Sequence, residues 1–481
     1  MQYPITKLVI TIVFFLASYS HTLFAANWLM LQGTEPTSAS ERAKLWGFIQ
    51  GQYQHDFSEA NSVSQYTPAK LIGPNLTSNK MFNVNRARIG VRGTGFPLDS
   101  KINYFILSEF GNNGITTAGK HVKLTDASVT FNHLPFARVR AGLFKYPGSE
   151  ESLQAIHVSD YINFSSVTNG MMLERFPNDD NFFKKKTANG QSANTDAQLL
   201  GVATNGLQKP VGAFRDTGLQ VFDTIKLGEN WEHSYALMMG NGNGLNVGDN
   251  NGNKNMYYYG SSERIFAGQG GRRQGLKFFL WHQSGQRAYD KDFSNETITS
   301  YDPGNDGIAG TSDDRSVEKS LIGRSSGKKQ YRHYQRTRTG FGAKYLKNPY
   351  RVSAEYIRGS GMIFLGPHKE SFDMNEPGID SDGDGLTGTA NGWYIEGGWR
   401  VLASKWEIDL RYDVFNRLTG DKLETNFSTI TLGTQYFLNL KTRIAINYAI
   451  RNAKSANNIA ALENNLGTLG NRLAIQFTAI Y

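Results

Sequence analysis

The segment Leu473-Ala474-Ile475-Gln476-Phe477-Thr478-Ala479-Ile480-Tyr481 alternates between an apolar face and a largely polar one. Successive side chains of a β-strand point to opposite faces, so the alternation predicts a strand with Leu473, Ile475, Phe477, Ala479 and Tyr481 on one face. Arg472 and Gln476 point the other way. A two-faced strand with an aromatic last residue is typical of the strand that closes a transmembrane β-barrel. A half-buried edge strand of a soluble sheet has the same alternation, so the rest of the chain must distinguish the two.

The first 25 residues have the features of a secretory signal peptide. Lys7 precedes an apolar run at residues 8–17, and a stretch of small residues ends at Ala25-Ala26. The apolar run is shorter than the roughly 20 residues that a helix needs to span a bilayer. We therefore predict export and cleavage after Ala25, with cleavage after Ala26 and an uncleaved N-terminal anchor as the alternatives.

From about Lys44 onward, two-faced segments alternate with turns. In residues 405–414 apolar and charged residues alternate strictly. The charged face comprises Lys405, Glu407, Asp409, Arg411 and Asp413. Five charges on one strand face cannot contact lipid and must line water. The pattern predicts an all-β fold: a transmembrane antiparallel β-barrel over residues 44–481, preceded at 26–43 by a short leader that is periplasmic or plug-like.

Composition narrows the function. The chain has no cysteine, which excludes thiol catalysis, cysteine-ligated zinc, iron–sulfur clusters and covalently attached c-type haem. The motifs G-x-S-x-G, H-E-x-x-H and the P-loop are absent from the sequence, so we do not expect an enzyme. Lys and Arg number 51 against 42 Asp and Glu, and a basic excess favours anions in general.

Long polar inserts interrupt the pattern at residues 146–212, 283–330 and 359–390. Structureless inserts of this length usually have a function. We expect extracellular loops at 283–330 and 359–390, and a constriction loop folded into the lumen at 146–212. Within the insert at residues 146–212, Phe182-Phe183-Lys184-Lys185-Lys186 is a candidate constriction, with a solvated loop tip as the alternative.

Basic residues recur on the polar face of several predicted strands. If the apolar faces meet lipid, these residues line the lumen and raise the local concentration of anions. Arginine also offers forked donors that match carboxylate and phosphate oxygens. The alternative is that they only neutralise wall carboxylates such as Glu109, Glu407, Asp409 and Asp413. The predicted anion pathway comprises Arg86, Arg88, Arg92, Arg138, Arg140, Arg336, Arg338, Lys344, Lys441 and Arg443.

Two acidic, glycine-rich runs lie in predicted loops. Asp380, Asp382 and Asp384 occupy positions 1, 3 and 5 of a calcium-loop pattern, but position 12 is Asn391 rather than glutamate. A looser run contains Asp302 and Asp306. Both runs are candidate structural calcium sites, and plain acidic turns are the alternative. No other cofactor is expected.

Several short motifs occur in a recognisable order along the chain. They lie at residues 85–91, 126–131, 138–147 with Glu150, 218–222, 235–237 with 241–242, 392–394, 411–415 and 431–437. These motifs resemble those of the phosphate-selective porin O/P superfamily of bacterial outer-membrane proteins, and the resemblance extends from about residue 82 to the terminus. It implies a barrel of about 16 strands (18 as the alternative), a homotrimer, a lumen-folded loop and an anion-preferring channel. It supports Arg86, Arg88, Arg138 and Arg140 as wall positions, but it does not carry over phosphate specificity residue by residue.

The leading hypothesis is a bacterial outer-membrane porin for passive diffusion of small anionic solutes, with phosphate-like anions as the first candidate. Expected partners are outer-membrane lipid, small anions and further copies of the chain, and no nucleic acid. A second hypothesis is a surface structural or adhesive barrel with a plugged lumen and calcium-stabilised loops. A third is a barrel sheath for an electron-transfer partner; because the chain has no cysteine to attach c-type haem, it would need cytochromes as partners.

Overall fold

A computed structural model gives the fold. It describes residues 27–31, 42–59, 72–74, 79–95, 99–113, 122–173, 175–176, 209–210, 213–245, 249, 252–268, 273–291, 297–302, 315–320, 330–361, 363, 388–401, 405–420, 424–458 and 460–481. No helix within these ranges has the length and hydrophobicity to cross a membrane.

Sixteen antiparallel strands form a closed barrel in which each strand pairs with its neighbours in sequence and the last pairs with the first. The strand number predicted from the family resemblance is therefore confirmed. The strands are β1 Lys44–Asp56, β2 Lys80–Thr94, β3 Ile102–Glu109, β4 Lys123–Phe131, β5 Arg138–Lys145, β6 Arg215–Leu227, β7 Trp231–Gly240, β8 Asn255–Ala267, β9 Gln274–Lys291, β10 Gln330–Lys347, β11 Tyr350–Ser360, β12 Thr389–Arg400, β13 Trp406–Arg417, β14 Thr425–Asn439, β15 Thr442–Ser455 and β16 Arg472–Ile480.

The barrel has apolar side chains outside and polar side chains inside. On β13, Ile408 and Leu410 are 50% and 54% exposed, whereas Glu407 and Asp409 on the other face are 0% and 2% exposed. Such an apolar outer surface alternating with a polar inner one is the distribution of a transmembrane barrel. The alternation in residues 405–414 predicted it correctly.

The closing strand behaves as its alternation predicts. Phe477 on β16 is exposed on the outside, while Gln476 and Thr478 are buried inside. β16 pairs with β1 from Phe48↔Ile480 to Asp56↔Arg472. Tyr481 extends this ladder: its backbone N–H donates to Gly47 O at 3.0 Å, and its carbonyl oxygen accepts from Gly47 N at 3.2 Å.

The strands meet at one end in short turns and at the other mostly in longer loops. Residues 440–441 connect β14 to β15, whereas residues 146–214 connect β5 to β6. We call residues 146–173 the inner loop, because its backbone and side chains bond to inward-facing residues of strands around the barrel. It contains helix α2 (Glu150–Leu153), a 3-10 turn (Ile156–Val158) and a π-helical turn (Thr168–Met172).

Two other helices are short. Helix α1 (Trp28–Leu31) lies inside the barrel, where Asn27 Nδ2 donates to Ser234 Oγ on β7 at 2.7 Å and Trp28 and Leu29 are buried. Helix α3 (Ala460–Leu466) lies between β15 and β16. Two-stranded ribbons pair Arg175–Phe176 with Lys209–Pro210 and Thr297–Asp302 with Arg315–Ser320.

Candidate functional site

The inner loop is anchored to the barrel wall by buried hydrogen bonds. On one side, the Glu355 carboxylate of β11 accepts from Ser149 Oγ at 2.9 Å and from Glu150 N at 3.3 Å. Tyr394 and Trp281 donate to the same carboxylate, each at 2.8 Å. The Glu355 carboxylate therefore accepts four hydrogen bonds, two from the start of the loop and two from aromatic side chains of the wall.

Helix α2 is held at both ends. Lys277 Nζ on β9 donates to both carboxylate oxygens of Glu150 at 3.0 Å. Burial would raise the pKa of Glu150, but the ammonium groups of Lys277 and Lys344 outweigh it and the net pKa is lowered. Lys145 Nζ donates to the carbonyls of Ser152 and Gln154 at 2.8 and 2.9 Å, at the C-terminus of the helix where cations are favourable.

The far part of the inner loop bonds to β13 and β15. Ser166 N donates to Asp413 Oδ1 on β13 and Ile162 N donates to Asn447 Oδ1 on β15, both at 2.8 Å. Arg443 donates to the carbonyls of His157 and Ser159. Glu150 bonds to Lys277 on β9, and the His157 ring packs against Phe48 on β1, which lies opposite β9 in a ring of sixteen strands. The inner loop therefore folds across the lumen, as predicted, while its role as a constriction stays a prediction.

Apolar side chains pack between the inner loop and the wall. Val167, Met171 and Leu173 of the loop are fully buried, and they belong to one cluster with aromatic residues of the wall such as Trp281 and Phe415. Trp28 and Leu29 of α1 join this cluster.

We call Arg86, Arg88, Arg140, Lys145 and Arg215 the basic wall. These cations lie on β2, β5 and β6, and Lys145 interacts electrostatically with Arg215, Arg88 and Arg86. Two carboxylates lie among the five cations. Arg88 Nε donates to Glu109 Oε2 at 2.7 Å, and Arg215 Nη2 donates to Asp126 Oδ2 at 3.1 Å.

The other cations of the basic wall bond to neutral groups. Arg86 Nη1 donates to Gln50 Oε1 at 3.0 Å. The Arg140 guanidinium lies over the Phe222 ring at 4.4 Å, a cation–π distance, and its Nε donates to Thr130 Oγ1 at 3.2 Å. Arg86 also interacts electrostatically with Glu109, and Arg140 with Asp126.

We call Glu396, Glu407, Asp409 and Asp413 the acidic wall, on β12 and β13. In a ring of sixteen strands β12 lies opposite β4, so the two walls face each other across the lumen. Arg351 of β11 is the main counter-ion: its Nε donates to Glu407 at 2.7 Å, and it also bonds to Asp409 and to Asp160 of the inner loop. Arg411 pairs with Asp413 and with Glu151 of the loop.

A glycine allows Arg351 to reach the acidic wall. In the strand register Arg351 faces Gly398 on β12, which in turn faces Asp409 on β13. A Cβ atom at Gly398 would lie 2.5 Å from Arg351 Nε and 2.7 Å from Glu407 Oε1. Only a residue without a side chain lets the guanidinium cross this strand.

The predicted pathway residues fall into three groups. Arg86, Arg88 and Arg140 lie on the basic wall. Arg336 and Arg338 are 1% exposed on β10 and are largely structural, since Arg338 donates to the carbonyls of Met171, Ser360 and Gly361. The remainder lie apart from these: Arg92 above the Trp46 ring, Arg138 beside Asp223, Lys344 near Glu150, and Arg443 against the inner loop.

Lys441 is a correction to the predicted pathway. It lies in the exposed turn between β14 and β15 and not on the lumen face. The alternation of β15 does not extend to Lys441, because the strand begins at Thr442.

Other predicted site residues lie outside the described residues. They are Lys184, Lys185 and Lys186 of the candidate constriction, and Asp380, Asp382, Asp384 and Asp306 of the candidate calcium runs; of Asp302 only the backbone is described. Within the described ranges no group of three or more His, Asp or Glu side chains could hold a metal ion.

Sequence reasoning missed Arg351, Lys277 and Lys145. The same alternation could have found Arg351, because Tyr350 and Val352 on either side of it are exposed and apolar. Nothing in the sequence signals that Lys145 caps α2, since that contact depends on the path of the inner loop.

His157 of the inner loop lies toward the basic wall. Its ring packs at 4.8 Å from Phe48 and 5.8 Å from Trp46 on β1. Burial, together with the positive charges of Arg443 and Arg88, lowers the pKa of His157 from 6.5 to about 3. The imidazole is therefore neutral at physiological pH.

No protein-family model and no curated protein matches the chain. Three solved structures illustrate what it is similar to. An anion-selective porin from Comamonas acidovorans has 13% identity and a TM-score of 0.48, covering 92% of this chain and 100% of the porin. The outer-membrane channel DcaP of Acinetobacter baumannii has 11% identity and a TM-score of 0.47, covering 94% and 100%. The trimer form of OmpT from Vibrio cholerae has 10% identity and a TM-score of 0.45, covering 92% and 100%.

These similarities are distant, so the barrel assignment rests on the strand ladder of the chain itself. Membership of the phosphate-selective porin O/P superfamily stays a prediction.

Proposed function

We propose that the chain is a channel of the bacterial outer membrane through which small anionic solutes diffuse. The observation that carries the proposal is a closed sixteen-stranded barrel with an apolar outer surface, a charged inner surface and a loop that crosses the lumen. A loop folded against the inner wall narrows a barrel that would otherwise hold a wide aqueous pore.

The basic wall supports a preference for anions. Five cations there lie among two carboxylates, so the local field attracts negative solutes. The acidic wall, with four carboxylates against two arginines, opposes this preference for anions. We propose that the net charge of the chain, +9, tips the balance toward anions, with phosphate-like anions as the first candidate. Assembly as a homotrimer belongs to the same proposal.

The direct test is the conductance of purified protein in a planar bilayer. We expect open channels whose zero-current potential across a salt gradient indicates preference for chloride over potassium. Added phosphate should reduce the chloride current if phosphate competes for the same pathway. A preference for potassium would contradict the selectivity proposal while leaving the channel itself intact.

A barrel with a plugged lumen and a binding role at the surface is the second candidate. The apolar cluster between the inner loop, α1 and the wall favours it, because this cluster packs like a protein core. Absence of conductance from protein that has folded into the bilayer would support this candidate over the channel.

A further inference from the structure

A row of inward-facing residues crosses five neighbouring strands below the inner loop. In the strand register Glu263 on β8 faces Lys277 on β9, and Lys277 faces Lys344 on β10. Lys344 faces Ser353 on β11, which faces Glu396 on β12. Adjacent strands lie about 4.8 Å apart, so the Cα atoms of Lys344 and Glu396 are about 10 Å apart. The small Ser353 separates an ammonium group from a carboxylate.

A cavity occupies the space above this row. Lys277, Lys344, Ser353 and Glu396 line it from the wall, and Gln154 and Asp160 of the inner loop line it from above. Its volume is about 40 Å³, a few times the ~10–15 Å³ that one water centre requires. An occupant must therefore be compact.

Lys344 and Glu396, at the two ends of the cavity, can each form further hydrogen bonds. The nearest carboxylate oxygen to Lys344 Nζ is that of Glu150 at 3.6 Å, and the Lys344 side chain is 20% exposed. Glu396 makes no hydrogen bond or close ion pair within the described residues, although the charges of Arg351, Arg411, Glu151 and Asp160 act on it from a distance. A charged group without such partners at a lumen surface is able to bind an incoming one.

The neighbouring charges are occupied elsewhere. Lys277 bonds to both oxygens of Glu150, and Arg351 bonds to Glu407 and Asp160. Arg411, which faces Glu396 in the register, bonds to Glu151. Lys344 and Glu396 are thus the ammonium and the carboxylate that face the cavity with capacity for a ligand.

We propose that this cavity binds a compact zwitterionic solute, such as a small amino acid, with its carboxylate at Lys344 and its ammonium at Glu396. Ser353 Oγ lies between the two and supplies a hydrogen bond to either group. The biological meaning of the site rests on the proposed channel, because a site in the lumen meets solutes on their way through. Binding itself does not require conductance.

The test is isothermal titration of the purified full-length barrel in detergent micelles with glycine, acetate and methylammonium. Glycine should bind at least about tenfold more tightly than either single-charge fragment, because two charge-assisted contacts act together. Glycine that binds no more tightly than acetate, or not at all, overturns the proposal. This comparison needs only the wild-type protein.

Variants locate the site. Lys344→Met and Glu396→Gln should each weaken glycine binding by about tenfold or more, and Ser353→Leu should abolish it by filling the cavity without changing charge. Lys441→Met and Glu229→Gln remove the same charges from exposed turns and serve as matched controls. Glycine binding that survives Glu396→Gln unchanged contradicts the proposed orientation and the site. Conductance without glycine binding would refute this site alone and leave the channel standing.

Discussion

The basic wall and the acidic wall line the same lumen, but they neutralise their charges in different ways. Glu109 on the basic wall has one arginine and three further donors: Ala87 N at 2.8 Å, Gly111 N at 2.9 Å and Asn113 Nδ2 at 3.2 Å. On the acidic wall one guanidinium, that of Arg351, serves Glu407, Asp409 and Asp160 together. The comparison teaches that the basic wall is a set of separate contacts, whereas two of the four carboxylates on the acidic wall, Glu407 and Asp409, share one cation.

Removal of that shared cation should produce the largest effect. We expect Arg351→Met to lower the free energy of unfolding by about 3–5 kcal/mol, because it removes the cation that is bonded to the buried carboxylates of Glu407 and Asp409. Arg88→Met should cost less, about 1–3 kcal/mol, since Glu109 keeps its other donors. Denaturant unfolding of the refolded barrel, followed by tryptophan fluorescence, measures both. Equal losses for the two variants would contradict the difference between the walls.

Gly398, which lets the Arg351 side chain reach the acidic wall, allows a second test of the difference between the walls. Gly398→Ala places a methyl group against Arg351 Nε and Glu407 Oε1 and should cost about 1–3 kcal/mol of unfolding free energy through overpacking. Gly260→Ala on β8, where a Cβ would meet nothing within 4 Å, is the control and should be close to neutral. If Gly398→Ala is equally neutral, Arg351 does not need the path across β12.

His157 links the stability of the inner loop to pH. Its folded pKa of about 3 lies below the ordinary 6.5, so the unfolded chain binds a proton that the folded chain does not. The stability is therefore complete above pH 6.5 and falls as the pH drops from 6.5 toward 3, by up to about 1.4 kcal/mol per pH unit. His157→Gln should flatten the pH dependence of unfolding in this window. A wild-type curve that is already flat there would show that the basic wall does not disfavour a charged imidazole.

Ion selectivity should respond in opposite directions to changes on the two walls. One unit charge at ~4 Å in water changes the energy of an ion by about 1 kcal/mol, roughly a fivefold change in preference. Arg86→Gln should lower the chloride preference by about that factor or less, and Glu396→Gln should raise it. Lys441→Gln, in an exposed turn, should leave the zero-current potential unchanged. Equal shifts from Arg86→Gln and Lys441→Gln would mean that net charge, and not the wall, sets selectivity.

Much of the wall could be predicted from alternation alone. The inward positions of Arg86, Arg88 and Arg140 follow from the period of two, as does the outward position of Phe477. The prediction that Lys441 lines the lumen was wrong, because a period of two does not show where a strand begins. Arg88, a predicted pathway residue, pairs with the wall carboxylate Glu109. Glu407 and Asp409 pair instead with Arg351, a wall arginine outside the predicted set and two strands away from β13.

The sequence by itself determined that this chain is a barrel and which face of each strand is wet. Both follow from a periodicity of two, since a slip of one residue would turn a whole apolar face toward water. The tertiary structure decided which charges meet, because neighbours in a barrel depend on strand register and on a loop that crosses the lumen. Register and loop path bring Lys344, Ser353 and Glu396 into one row, and Leu473–Tyr481 only closes the wall that contains them.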